Sequence, residues 1–291
     1  MPSNAQRRQA AKRKLERQLE RRAQRARKRR QLTIGLSALG VAAVVAAGVG
    51  IWVLGRGGDD AASTAASETT DPAQTEFAAL PAGRSEPLPE SVNCAYPPGG
   101  EPARPVQPPR TDGILTTGEG NTDISVSVET TLGNIGLVLH NDTSPCTVNN
   151  FLSLASQGYF DDTACHRLTT SDSLAVLQCG DPTGTGAGGP GYQFANEFPT
   201  DQYAPEDPAA TQPLTYPRGT VAMANAGAGT NGSQFFLVYG DSILPPQYTV
   251  FGTIDETGLA TLDTVAAAGV EGGGQDGAPA QPISLTSVRM D

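Results

Sequence analysis

A stretch of 24 residues without a charged side chain, from Leu32 to Gly55, is the feature that most limits how this chain can fold. An α-helix rises 1.5 Å per residue, so a helix of this length can cross the hydrocarbon core of a bilayer, about 30 Å thick. Thirteen Lys and Arg residues precede the stretch, and Trp52 lies near its far end, where an indole suits the membrane interface. The sequence therefore predicts a single-pass membrane protein with one transmembrane helix over 31–55, a cytoplasmic N-terminus and an extracytoplasmic C-terminal domain.

The N-terminal region leaves two alternatives open. A cleaved signal peptide is the alternative to the anchor, but the apolar stretch exceeds the usual 7 to 15 residues and no clear Ala-x-Ala site follows it. The basic cytoplasmic segment 1–30 is rich in helix formers, so it either lies on anionic lipid as a helix or only fixes the orientation of the chain. A ribosome or nucleic-acid contact by this segment also stays open.

Charge is distributed very unevenly along the chain. The net charge of −10 combines +11 in residues 1–30 with −21 in the remainder. No lysine follows Lys28, and the seven arginines beyond it are scattered singly. Nucleic-acid binding needs a clustered basic surface, so we expect no nucleic-acid partner for the C-terminal part of the chain.

Residues 56–123 are dominated by Pro, Gly, Ala, Ser, Thr and acidic side chains, without a sustained apolar period. Such a segment buries too little apolar surface to offset its ordering entropy, so it is predicted to be a disordered linker that holds the domain off the membrane. Its Pro-rich end is expected to be partly extended. Cys94 is an exception within it, because a cysteine in an exported linker usually has a disulfide partner.

The pattern changes to short alternating runs from Ile124 onward. Strands are predicted over 124–128 and 134–140, followed by a helix with Ser144 as N-cap, Pro145 at its first position and Gly158 as its stop. Further strands are predicted at 220–224, 234–238, 248–253 and 282–289, with a second short helix over 259–266. Many strands and two helices in residues 124–291 predict a mainly β, closed or nearly closed antiparallel barrel with helices over its openings.

No motif in the chain is typical of a metal or covalent enzyme. His140 and His166 are the only two histidines, and neither has a cysteine or histidine at zinc-ligand spacing. The glycine-rich run 184–189 matches G-x-G-x-x-G but is followed at once by Pro190, which argues against a dinucleotide site. Ser233 lies in no G-x-S-x-G elbow. We therefore expect neither a metal nor another cofactor.

Four motifs are specific enough to indicate a family: CHRL at 165–168, QCGDPTGTGAGGPGYQFANE at 178–197, MANAGAGTNGSQFF at 223–236 and YTVFG at 248–252. With these motifs in this order, residues 124–291 resemble the cyclophilins, which are peptidyl-prolyl cis-trans isomerases. The resemblance implies an eight-stranded antiparallel barrel capped by two helices, with the substrate groove on the outside of the barrel.

The resemblance also implies the site. Arg167 would be the catalytic arginine, and Gln178 its neighbour in the groove. The implied substrate-binding residues are Met223, Ala224, Asn225, Gln234, Phe236, Leu244 and Tyr248. Among these, Ala224, Asn225 and Gln234 would contact the substrate backbone, and Met223, Phe236 and Leu244 would line a proline pocket.

An arginine suits this reaction on chemical grounds. Rotation about an X-Pro bond has a barrier of about 18–20 kcal/mol because amide resonance is lost in the twisted state, which localises a lone pair on the proline nitrogen. A guanidinium that donates to this nitrogen binds the transition state more strongly than the ground state. The sequence thus predicts an isomerase that needs no cofactor and assists the folding of Pro-containing exported polypeptides.

The chain departs from the family pattern near the predicted pocket. Ala175 and Val176 replace a common Phe-Met pair, about three extra residues separate Arg167 from Gln178, and Ile243 stands where many members have an aromatic residue. Strong cyclosporin binding is therefore not expected. Tyr248 stands where animal members have histidine. The alternative function is a catalytically weak module that binds Pro-containing segments, and a chaperone role could accompany either function.

Four cysteines allow three disulfide pairings, and buried free thiols are the alternative. If Arg167 and Gln178 face one groove from adjacent strands, as the resemblance implies, Cys165 and Cys179 should lie close enough to bridge. Cys94 would then pair with Cys146 and tie the end of the linker to the first helix.

Overall fold

The computed structural model describes residues 77–118, 122–204 and 206–291. These residues belong to one compact unit. The predicted segments 1–30 and 31–55 lie outside the described residues. Within the described ranges, none of the helices has the length and apolar character required to span a bilayer.

The described residues form short strands and two α-helices. The strands are β1 (Ala78–Ala79), β2 (Ser91–Val92), β3 (Ile114–Leu115), β4 (Asp123–Thr130), β5 (Gly133–His140), β6 (Thr163–Ala164), β7 (Arg167–Ser171), β8 (Leu174–Cys179), β9 (Leu214–Tyr216), β10 (Thr220–Met223), β11 (Phe235–Gly240), β12 (Ser242–Leu244), β13 (Val250–Ile254), β14 (Asp276–Gly277) and β15 (Ser284–Met290). The helices are α1 (Pro145–Ser156) and α2 (Glu256–Ala268).

One large sheet dominates the fold. Its strand order is β14-β7-β8-β11-β10-β13-β5-β4-β15-β6, and its neighbouring strands pair antiparallel. Strands β6 and β14 have two residues each, whereas the other eight have four to eight. Strand β6 at one edge is followed after two residues by β7 near the other edge, so the sheet curls until its ends approach each other. The predicted mainly β fold with two helices is confirmed.

Side chains of the sheet alternate between two apolar clusters. On β10 and β11, the inner cluster takes Val221, Met223 and Phe235, whereas the outer cluster takes Ala222 and Phe236. This alternation follows from the two-residue period of a β-strand. The sheet therefore has an apolar outer face as well as an apolar interior.

The first helix begins where the sequence predicts. Ser144 occupies the N-cap position and Pro145 the first turn, but the Ser144 hydroxyl donates to the Val250 carbonyl rather than capping the helix. The Glu197 carboxylate instead accepts from the backbone N–H groups of Cys146 (3.0 Å) and Thr147 (2.7 Å). A carboxylate at this end is stabilised by the helix dipole, although burial raises the pKa of Glu197 to about 7. The first turn of α1 is thus capped by a residue distant in sequence.

The prediction of a disordered linker up to residue 123 is wrong for residues 77–118, which we call the N-terminal arm. Tyr96 is buried in the inner core, with its ring edge-on to Tyr192 and Phe194 at centroid distances of 5.7 and 5.6 Å. Its hydroxyl donates to the Cys146 carbonyl and accepts from the Asn149 amide. A single aromatic side chain therefore anchors this part of the arm without any apolar period in the sequence.

Arg104 holds the arm at a second point. One terminal nitrogen of its guanidinium lies 2.8–3.0 Å from the carbonyl oxygens of Gly158, Tyr159 and Asp161, in the turn after α1. Hydrogen bonds from a charged donor are stronger than those between neutral groups. This contact therefore offsets part of the conformational entropy that the arm loses when it becomes ordered.

Both predicted disulfides are present. Cys94 in the arm is bonded to Cys146 on α1, and Cys165 is bonded to Cys179 across the start of β7 and the end of β8. The first disulfide closes a loop of 52 residues and fixes the arm covalently to the barrel.

We predict that Cys94→Ser/Cys146→Ser lowers the free energy of unfolding by about 2–4 kcal/mol, because the disulfide restricts the unfolded chain. Urea unfolding of the oxidised full chain measures this loss. A parallel experiment with reduced wild-type protein separates the effect of the second disulfide. An unchanged unfolding midpoint in the oxidised variant would show that the arm is held by noncovalent contacts alone.

Candidate active site

Strand register places three of the predicted site residues side by side. Arg167 on β7 is the direct partner of Gln178 on β8, and Gln178 is the partner of Phe236 on β11. Phe236 in turn is the partner of Ala222 on β10. Directly opposed residues of antiparallel strands point to the same face, so this row lies on the outer face of the sheet.

A cavity of about 270 Å³ opens over this row. It is lined by Arg167, Leu174, Val176, Gln178, Ala224, Asn225, Phe236, Leu244 and Tyr248. The Phe236 and Tyr248 rings pack edge to face with their centroids 5.6 Å apart. The cavity thus combines apolar walls with the charged head of Arg167 and the amide of Gln178, and we call it the first cavity.

Two of the predicted site residues do not line the first cavity. Met223 is buried in the inner cluster, because Ala222 and Ala224 take the outward positions on either side of it. Gln234 lies beside the cavity, where its side-chain oxygen accepts a hydrogen bond from the Gln178 amide at 2.9 Å. The structure therefore brings seven of the nine predicted residues to the cavity and one more into contact with it.

Sequence reasoning missed Leu174 as a wall of the first cavity. Leu174, Val176 and Gln178 alternate along β8 and share its outer face, so the two-residue period was the signal that could have found it. Ala175, the neighbouring departure from the family pattern, faces away from the cavity and is not among its lining residues. Ile243 is not among them either.

Arg167 is held by hydrogen bonds on both sides. Its Nε and Nη2 donate to the two carboxylate oxygens of Asp276 at 2.7 and 2.8 Å, and its Nη1 donates to the Gln178 Oε1 at 3.3 Å. The Gln178 amide donates to Gln234, whose own amide donates to the Gly188 carbonyl at 2.9 Å. The guanidinium orientation is thus fixed by a chain of contacts that runs from β14 to the glycine-rich loop.

This arrangement keeps Arg167 charged and leaves it donors to use. A guanidinium has five N–H donors, and the contacts with Asp276 and Gln178 occupy three of them among the described residues. The hydrogen bond to Asp276 raises the pKa of Arg167, and the same contact lowers the pKa of Asp276. Two N–H groups therefore remain for a bound ligand.

His166, next to Arg167 in sequence, adds no second cation. Both ring nitrogens are buried and have no hydrogen-bond partner among the described residues. Burial lowers the pKa of His166 from its ordinary value of 6.5, so the ring is neutral at pH 7. Arg167 is accordingly the charged group that faces the first cavity.

Asp276 was not predicted, and no local signal identifies it. It is separated from Arg167 by 109 residues and reaches the site because β14 pairs with β7. From sequence alone, an isolated aspartate in a Gly-rich segment is predicted to be an ordinary loop residue.

Comparison with known proteins finds relatives of this chain. The model of the family "Cyclophilin type peptidyl-prolyl cis-trans isomerase/CLD" matches residues 125–290. The probable peptidyl-prolyl cis-trans isomerase B of Mycobacterium tuberculosis (strain CDC 1551 / Oshkosh) is 62% identical over 201 residues, which cover 69% of this chain and 64% of that protein. Its counterpart from Mycobacterium leprae is 60% identical, with coverages of 69% and 67%.

A crystal structure of a cyclophilin type peptidyl-prolyl cis-trans isomerase from Cryptosporidium parvum is also similar. It is 29% identical, covers 58% of this chain and 98% of that chain, and has a TM-score of 0.46.

The chain belongs to the cyclophilin type peptidyl-prolyl cis-trans isomerase family, because the family model matches more than half of its length. The predicted family resemblance is confirmed. The aligned part spans less than two thirds of the Mycobacterium tuberculosis relative.

We predict that the Asp276 carboxyl has a pKa below its ordinary value of 3.8, and that Arg167→Ala raises this pKa because the hydrogen bond that lowers it is lost. The ion pair is present above the lowered pKa and is lost as the pH falls through it. Carbon-13 NMR of the aspartate carboxyls measures both titrations. Arg218→Ala, which removes a comparable surface pair with Asp263, is the matched control and should leave Asp276 unchanged. Equal titration in wild type and Arg167→Ala would contradict the pairing.

Proposed function

We propose that this protein is a peptidyl-prolyl cis-trans isomerase that accelerates X-Pro rotation in exported polypeptides and assists their folding outside the membrane. The observation that carries the proposal is the position of Arg167. Its guanidinium lies at the first cavity, next to apolar walls that can contact a proline ring, and is held there by Asp276 and Gln178.

The apolar side of the cavity would bind the proline ring. Phe236, Leu244 and Tyr248 present apolar surface that can cover the ring, and Val176 also lines the cavity. Burial of the ring fixes one side of the X-Pro bond while the other side of the peptide turns. The barrel supplies a rigid wall for this, because Phe236 also packs into the buried outer cluster.

Arg167 would act on the twisted state. Loss of amide resonance localises the nitrogen lone pair, and a remaining N–H of the guanidinium can then donate to it. In the planar amide, this nitrogen has no free lone pair to accept a hydrogen bond. The hydrogen bond from Arg167 therefore stabilises the transition state more than the ground state. Asp276 and Gln178 hold the donor in place beforehand, so little reorientation is needed when the bond turns.

Two features support a location outside the membrane. Both disulfides join cysteines of the compact unit, and disulfides persist mainly in oxidising compartments. The N-terminal sequence combines a basic segment with a long uncharged stretch, which is the pattern of an anchor with a cytoplasmic N-terminus. We accordingly propose a single-pass cell-membrane protein whose isomerase domain faces the extracytoplasmic side, where exported Pro-containing chains are its substrates.

We predict that Arg167→Ala lowers the catalysed exchange rate of an Ala-Pro peptide by about 10²-fold, because one transition-state donor is lost. The measurement is NMR exchange spectroscopy of the peptide with the full chain in detergent. Arg167→Lys should stay well below wild type, since an ammonium cannot bind Asp276 and Gln178 in the same fork. Arg218→Ala is the matched control and should retain the full rate.

The outcomes separate the two candidate functions. Fast exchange that disappears in Arg167→Ala establishes the isomerase. Peptide binding at the first cavity without accelerated exchange would contradict it and favour a binding module. Fast exchange that survives Arg167→Ala would also overturn the proposed role of this residue.

A further inference from the structure

A second cavity of about 320 Å³ adjoins the first. Gln178, Ala224 and Asn225 line both cavities. A chain that places a proline in the first cavity therefore passes the second within a few residues, since an extended chain advances at most about 3.6 Å per residue. The second cavity is thus positioned to contact a side chain close to the proline.

The N-terminal arm forms one wall of this second cavity. Gly99 and Glu101 line it together with the loop of residues 186–193. The arm lies outside the range 125–290 that the family model matches. The wall therefore lies outside the part of the chain that the family model matches.

Backbone hydrogen bonds fix the arm to the loop of residues 186–193. The N–H of Gly99 donates to the Gly191 carbonyl at 2.9 Å, and the N–H of Ala103 donates to the Gly189 carbonyl at 2.8 Å. The N–H of Gln193 donates back to the Pro97 carbonyl at 2.9 Å. These contacts lie on both sides of Glu101 along the chain.

The arm packs closely against the loop of residues 186–193, so the two segments cannot shift easily relative to each other. A Cβ atom at Gly99 would lie 2.5 Å from the Gln193 Cγ, and one at Gly191 would lie 3.1 Å from Pro102. The Cys94–Cys146 disulfide holds the arm before this junction, and Arg104 holds it after. Glu101 is accordingly presented at a defined place rather than on a free strand.

Glu101 gives the second cavity its charge. Among the described residues that line this cavity, Glu101 alone has an ionisable carboxylate or a basic group. The remaining lining side chains are glycines, small residues, amides, one proline, one threonine and one tyrosine. A single exposed carboxylate on a neutral wall attracts a cationic side chain and repels an anionic one.

We infer that the N-terminal arm is a specificity element and that Glu101 selects substrates with a Lys or Arg within a few residues of the proline. The inference rests on the proposed function. Because Glu101 is exposed, the expected preference for a Lys over a Glu peptide is modest, about two- to fivefold in kcat/KM. Salt should reduce it, since exposed charges are screened.

The test uses the full chain and a set of Ala-Pro peptides in which one Lys, Gln or Glu is placed in turn at each of three positions before and two after the proline. NMR exchange spectroscopy measures the catalysed rate for each peptide. We expect a Lys-over-Glu preference at one position, and we expect Glu101→Gln to bring the ratio of the Lys rate to the Glu rate close to one when each rate is taken relative to the all-Ala peptide with the same variant. Glu90→Gln removes another exposed carboxylate of the arm that does not line the cavity, and it should keep the preference.

Equal rates for the Lys and Glu peptides with wild type would overturn the inference, as would a preference that survives Glu101→Gln. Failure of the proposed function can be distinguished from failure of this inference, because the all-Ala peptide would then show no acceleration either. In that case the dissociation constants of the same peptides, measured by NMR shift changes, decide the inference by the same Lys-to-Glu ratio.

Discussion

The pairing register of β7, β8 and β11 is the constraint on which the site depends. It sets Arg167, Gln178 and Phe236 in one row across three strands, so a charged donor, an amide and an apolar wall meet on one face. A shift of one residue in any of these strands would turn its side chains to the opposite face. The buried inner cluster opposes such a shift, because it would expose Leu177 or Phe235 to the outside.

The N-terminal arm shows how a segment of low apolar content can still be ordered. One buried tyrosine, one disulfide and one arginine bound to three carbonyls hold it, and each contact is with the barrel rather than within the arm. Such contacts can be far apart in sequence, so the arm needs no helical or strand period. Gly99 and Glu101 of the arm line the second cavity beside the first, so the arm is part of the surface that a substrate would meet under the proposed function.

Periodicity and motifs predicted most of the fold and seven of the nine residues that line the first cavity. The structure contains the strands predicted over 124–140 and the helix start predicted at Ser144 and Pro145. The motifs also predicted that Arg167 and Asn225 belong to one site, and both residues line the first cavity. The side of the sheet that Met223 faces could have been predicted from alternation, whereas the contact of Asp276 could not. That contact depends on the path of the chain after α2, which no local pattern encodes. The order of the arm was missed for the same reason.

In the proposed reaction, Arg167 acts as part of a hydrogen-bonded unit with Gln178 rather than as an isolated charge. A double-mutant cycle of Arg167→Ala and Gln178→Ala, read out as kcat/KM for an Ala-Pro peptide, measures this coupling. If Gln178 acts through Arg167, the double variant is no slower than Arg167→Ala alone, with an interaction energy of about 1 kcal/mol or more. Losses that add fully would show that Arg167 and Gln178 act independently.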